Sequence, residues 1–196
     1  MTQKLSRLAL GALLAVGTLA TVPAHAGKDL AAIKSRGALV CGVHSPGLAG
    51  FSAADSQGNW AGLDVDICKA LAATMLSDAS KVKWVPLNAA QRFAALQSGE
   101  VDVLSRNTTW TLTRDASLGL HFTAVTYYDG QGFLVPKKLK VTSAKQLKNA
   151  EICVQSGTTT EKNLSDWFKA QGIKIKPVVF EKFEASIKAF FSGRCQ

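Results

Sequence analysis

Leu104-Ser105-Arg106-Asn107-Thr108-Thr109-Trp110-Thr111-Leu112-Thr113-Arg114-Asp115-Ala116 continues a short apolar run with a row of side-chain donors and a guanidinium. Val101 to Ser105 reads as a strand, and Arg114 sits where the next helix can begin. A strand end that opens into a helix points backbone N–H groups at whatever lies there, and an arginine adds a planar two-pronged grip on a small acid. That is the chemistry of a carboxylate clamp at the carboxyl end of a parallel strand, where open α/β sheets bind ligands. The same pattern also fits a polar loop whose threonines cap a helix and whose Arg114 pairs with Asp115 or solvent.

The chain upstream supplies the rest of a sheet. Ala38 to Val43 is β-prone, and Leu63, Ile67, Cys68, Leu71, Ala72 and Met75 recur at the spacing of an amphipathic helix. Asp64 and Asp66 fall in its first turn, where carboxylates suit the positive end of the helix dipole. Val82 to Leu87 reads as a second strand, and Asn88 with Gln91 resembles a capping box for a helix closed by Gly99. Strands separated by helices argue a parallel sheet in an open α/β architecture.

The downstream half repeats the plan. Ser143 and Gln146 predict a short capped helix, Ile152 to Val154 a strand, Thr160 to Gln171 a helix closed by Gly172, Ile175 to Phe180 a strand and Glu184 to Ser192 a helix. Gln155-Ser156-Gly157-Thr158-Thr159-Thr160-Glu161 is a second turn rich in donors at a helix start. Tyr127 to Pro136, with its glycines, suits a hinge between lobes over 27–133 and 134–196. Ser98-Gly99-Glu100-Val101-Asp102 leads into a third strand, whereas Ser192-Gly193-Arg194-Cys195-Gln196 reaches the same point at the end of the sequence. The expectation is a second lobe short of its third strand, as in a fragment of a longer protein.

Lys4 and Arg7 precede an apolar stretch from Leu8 to Val22, and Ala24-His25-Ala26 has the small residues of a cleavage site, so residues 1–26 read as a secretion signal. The apolar stretch falls short of a membrane span and ends in Pro23, and no other stretch approaches spanning length. A mature chain from near Gly27 is then expected outside the cytoplasm. The formal charge of +9 falls by two when Lys4 and Arg7 leave. The remaining clusters, Lys137-Lys138-Leu139-Lys140 and Lys174-Ile175-Lys176, lack interleaved aromatics, which argues for solvated faces and against nucleic acid. Cys41, Cys68, Cys153 and Cys195 allow three connectivities, and pairing within each half, Cys41 with Cys68 and Cys153 with Cys195, respects the two lobes. Buried free thiols are the alternative. No CxxC appears, and His25, His44 and His121 lack ligand spacing, so neither a metal nor a cofactor is expected.

Gly62-Leu63-Asp64-Val65-Asp66, Leu96 to Leu104, Asn107-Thr108-Thr109-Trp110-Thr111, Tyr127 to Phe133 and Cys153 to Thr159 closely resemble the periplasmic solute-binding proteins of bacterial ABC transporters for amino acids, in particular the general and polar L-amino-acid group. The resemblance runs from about Arg36 to Gln196. It implies a two-lobe α/β fold of the type II periplasmic-binding-protein kind, a monomer that takes an L-amino acid between its lobes and hands it to a membrane permease. It also implies roles: Arg114 clasps the α-carboxylate, helped by Thr109 and by backbone groups near Asn107, Thr159 meets it from the second lobe, and Phe51 lies against the aliphatic part of the ligand. The acidic partner such proteins offer the ammonium group belongs to a region after the second lobe's third strand.

Two other classes share this fold. Periplasmic dehydratase-like enzymes and lytic transglycosylases need a general acid, and Glu100 and Asp102 are already explained by a turn and a strand. A sensory domain needs an anchor and a signalling region. No nucleophile–base pair, P-loop, GxGxxG or HExxH stands in the sequence, so an enzyme is not expected.

Overall fold

A computed structural model describes residues 26–196; apart from Ala26, the expected secretion signal lies outside the described residues. The first sheet is parallel, with the order β4-β1-β5 built from β1 (Leu39–His44), β4 (Val82–Leu87) and β5 (Val103–Leu104). A small antiparallel pair, β2 (Ala53–Ala54) and β3 (Trp60–Ala61), intervenes after β1. The helices of this half are α1 (Ala26–Arg36), α2 (Leu63–Leu76), α3 (Arg92–Gln97) and α4 (Leu112–Ser117). Every residue of β1 is buried, because both of its faces are covered. Leu39, Cys41 and Val43 pack with Ile33, Cys68 and Ala72, while Val40 packs with Leu87, Ala95 and Val101. A Cβ on Gly42 would stand 2.6 Å from a Leu104 methyl group, so a larger residue there would have to displace the Leu104 side chain.

The second sheet pairs β6 (Glu151–Gln155) with β7 (Lys176–Phe180) in parallel, connected through α5 (Thr159–Ala170) and followed by α6 (Phe183–Phe191). Its core is Leu147, Ala150, Ile152, Val154, Leu164 and Phe168. The capping box on Ser143 and Gln146 is formed, around a single 3-10 turn at Ala144–Gln146. Residues 120–136 carry no regular structure, and within them Gln131 donates to Thr160 O at 3.1 Å and Phe133 meets Phe168 edge-on at 5.8 Å. The connection is thus fastened to α5 before Pro136 is reached.

Two disulfides lock the layers, Cys41–Cys68 between β1 and α2 and Cys153–Cys195 between β6 and the segment after α6. Beside the second, Gln196 N donates to Glu151 O at 2.7 Å, on the margin of β6. The third strand of the first sheet is shorter than Val101 to Ser105, although Asp102 N to Val40 O and Ser105 N to Gly42 O continue its bonding on either side. Among the described residues no helix is long and apolar enough to cross a membrane.

Candidate functional site

The carboxyl ends of β1, β4 and β5 all open on one side, toward the N-terminus of α5. Thr111 is the N-cap of α4, and its hydroxyl accepts from Arg114 N at 3.2 Å. This cap turns the Arg114 side chain back over the turn, where Nη1 donates to Thr109 O at 2.8 Å and the guanidinium lies 5.1 Å above the Phe93 ring. Burial pushes the Arg114 pKa down, an unfavourable setting for the cation until an anion joins it. Asp115 is occupied otherwise, accepting from Trp110 Nε1 at 3.2 Å, so the pairing of Arg114 with Asp115 does not form.

From the other half, Thr158 caps α5 through a bond from Glu161 N at 3.1 Å, and the Glu161 carboxylate accepts from Gly157 N at 2.8 Å. This reciprocal arrangement leaves Thr159 at the first helical position with its hydroxyl free to cross the gap. Its Oγ1 lies 3.0 Å from Thr109 Oγ1. Gly157, at φ 70°, allows the approach: a Cβ there would stand 3.3 Å from Ala90 Cα. Arg92 Nη2 reaches across to Gly157 O at 3.2 Å.

The sequence-proposed residues therefore divide. Thr109, Arg114 and Thr159 converge; Asn107 sits beside them, exposed, with its Oδ1 accepting from Arg106 Nη2 at 3.0 Å. Phe51 stands on the neighbouring turn, edge-on to Tyr127 at 5.1 Å, while its carbonyl accepts from Asp64 N at 2.9 Å at the start of α2. A Cβ on Gly62 would fall 2.4 Å from that carbonyl oxygen, so the Phe51 turn depends on glycine at position 62.

Sequence reasoning missed a buried polar group beneath this clamp. His44, Asp64, Arg92 and Arg106 are 0%, 3%, 2% and 7% exposed. Asp64 was legible only as a helix-start residue, yet burial raises its pKa against the lowering pull of Arg106. Burial pushes Arg92 down to about 9 and Arg106 down to about 10, and their mutual repulsion adds to the shift of Arg92. The available signal was position, since His44, Asn88 and Arg106 each stand at or just beyond the end of a parallel strand.

His44 is held below its ordinary pKa of 6.5 by burial and then by Arg106, with Arg92 acting in the same sense and Glu184 opposing them. Its pKa in the folded chain therefore lies below that in the unfolded chain. Stability is complete above the unfolded pKa and is lost as pH falls through the folded pKa, because the unfolded chain takes up the proton first. The melting temperature should drop between pH 7 and pH 5, and His44→Gln should flatten part of that drop. Parallel melting curves for the two proteins across this range would disprove the assignment.

Residues 39–182 match the model of the bacterial extracellular solute-binding proteins, family 3. The chain is 54% identical over its whole length to the general L-amino acid-binding periplasmic protein AapJ of Rhizobium johnstonii, covering 56% of that protein. It is 55% identical over 163 residues, 83% of the chain and 48% of the relative, to the glutamate/glutamine/aspartate/asparagine-binding protein BztA of Rhodobacter capsulatus. A solved periplasmic binding protein from Brucella ovis with glutathione bound superposes with a TM-score of 0.80 at 54% identity, over 85% of this chain and 52% of that one. The chain thus spans about half the length of these relatives. The parallel sheets, the placement of their carboxyl ends and the family match agree: the chain belongs to the bacterial extracellular solute-binding proteins, family 3.

Proposed function

We propose that this chain binds an L-amino acid in the periplasm, between lobes spanning 27–133 and 134–196, and presents it as a monomer to the membrane permease of an ABC transporter. The observation that supports this most is the meeting of two donor-rich turns from different sheets, Thr109 and Thr159 at 3.0 Å, over the buried guanidinium of Arg114. Arg114 binds the α-carboxylate, Thr109 and Thr159 donate to it from opposite sides, Asn107 lines the turn, and Phe51 with Tyr127 forms an apolar wall. The site calls for no cofactor and no catalytic group. The names of the relatives, one a periplasmic amino-acid-binding protein and the other an amino-acid-binding protein, support a binding role over an enzymatic one. The expected cleavage near Gly27 fits the same compartment.

Titration of the mature chain with the proteinogenic L-amino acids, followed by amide NMR shifts, tests this reading. Saturable shifts at Thr109, Arg114 and Thr159 with L-amino acids and none with their D-enantiomers are expected. Absence of saturable shifts with every L-amino acid would refute it.

A further inference from the structure

Beyond the expected secretion signal, the formal charge of the chain lies in one half. Residues 27–133 hold nine Lys/Arg and nine Asp/Glu, which cancel, whereas residues 134–196 hold twelve against five. Within that second half the signs are separated again. Residues 134–150 and 167–180 contain eight lysines and no Asp or Glu. Of the acidic residues, Glu161 and Glu184 stand in the first turns of α5 and α6, Asp166 pairs with Lys162 inside α5, and Glu181 follows the carboxyl end of β7. Glu151 alone remains near the lysines, with Lys176 at 3.7 Å.

In sequence, Lys137-Lys138-Leu139-Lys140 and Lys174-Ile175-Lys176 read as two separate solvated faces; the fold joins them. Val141, Ala144 and Leu147 pack on the same core as Ile173 and Ile175. Asn149 N donates to Lys174 O at 2.7 Å, and Lys176 N to Ala150 O at 2.9 Å. Lys140, Lys145, Lys148, Lys174 and Lys176 therefore surround the amino ends of β6 and β7, and all five are exposed. Lys169, in the last turn of α5, reaches the same end. The donor-rich turn that carries Thr159 leaves the opposite, carboxyl end of β6. A strand of five residues spans about 16 Å, roughly two Debye lengths at physiological ionic strength. Charge at the lysine end is thus screened from the clamp.

We propose that this lysine end of the second half is a docking face for an anionic phospholipid bilayer, which holds the protein at the membrane surface independently of ligand. Charge complementarity supplies the attraction, since each lysine close to an anionic leaflet strengthens partition by up to about fivefold. Apolar side chains beside the lysines favour a bilayer over a soluble polyanion. Leu134 and Leu139 are 68% and 37% exposed next to Lys137, Lys138 and Lys140, and combined basic and apolar contact is what a headgroup boundary accepts.

Sedimentation of residues 27–196 with vesicles tests the proposal without reference to any amino acid. Vesicles of phosphatidylcholine with about one-third phosphatidylglycerol should bind the parent at least tenfold better than phosphatidylcholine alone, and raised salt should abolish the difference. Lys145→Gln/Lys148→Gln/Lys174→Gln should lose about tenfold or more, while Lys34→Gln/Lys81→Gln/Lys83→Gln, an equal change of net charge on exposed positions of the first half, should stay within about threefold of the parent. Amide NMR spectra report whether each variant is folded, and the single variants Lys148→Gln and Lys174→Gln, each expected to lose about two- to fivefold, carry the comparison should the triple not fold. Equal binding to both kinds of vesicle, or equal losses in the two triple variants, would overturn the proposal. Salt-sensitive binding to a DNA duplex without partition onto the anionic vesicles would assign the face to soluble polyanions and overturn it as well.

Discussion

Arg114→Ala is expected to lower L-amino-acid affinity by roughly two orders of magnitude, the equivalent of about 3 kcal/mol for a charge-assisted contact in a dry site. The size follows from the setting of the side chain. It is 9% exposed, one nitrogen is committed to Thr109 O, and the guanidinium plane rests over Phe93. The other N–H groups of this fork make no hydrogen bond among the described residues, so they are available to two carboxylate oxygens together. Arg114→Lys should restore only part of the loss, since an ammonium supplies charge without the planar two-pronged geometry and cannot keep the Thr109 contact while reaching the ligand. Removing Arg114 also frees Thr109 O, so the alanine variant loses the turn geometry along with the charge. Measured by NMR titration against a single L-amino acid, unchanged affinity in Arg114→Ala would refute the assignment of the clamp.

The sheets were legible because their signals are local. Val82 to Leu87 was bounded by turn chemistry on both sides and forms as read, and Leu63 opens α2 where the apolar spacing begins. The reciprocal bonds between Asn88 and Gln91 also form, at 2.9 and 3.3 Å, but they close a turn ahead of α3, so the helix itself starts only at Arg92. The threonine turns were legible for the same reason, since capping depends on neighbours in sequence. The buried charges beneath Arg114 were not. Asp64 is buried because the Phe51 turn folds back over the start of α2, an arrangement governed by Gly62 and visible only in three dimensions. Arg92 reads as an ordinary helix residue until Gly157, 65 positions away, is brought against it. The helix α1 and the pair β2–β3 were missed as well; α1 is short of apolar periodicity, and the strands of the pair have two residues each.

The two disulfides should contribute unequally to function although chain entropy assigns them similar stabilities. Their sequence separations are 27 and 42 residues. Loops of that size imply about 3–4 kcal/mol each from the restricted unfolded chain. Cys41–Cys68 joins the centre of β1 to α2 with both sulfurs fully buried, one turn after the buried Asp64. Opening it in Cys41→Ala/Cys68→Ala removes the cross-link and also leaves a packing deficit next to Val43 and Ala72, so the loss should reach the upper end of that range. The proposed clamp hangs on this sheet, and ligand affinity should fall with it. Cys153–Cys195 fastens the segment after α6 to β6, where Gln196 N also bonds Glu151 O, and Thr159 is held separately by its own cap on α5. Cys153→Ala/Cys195→Ala should therefore lose stability with little change in the Thr109–Thr159 contact. Chemical denaturation of the two double variants, paired with ligand titration, decides the matter. Equal losses of affinity in both, or four alkylatable thiols in the natively exported protein, would refute this division of labour.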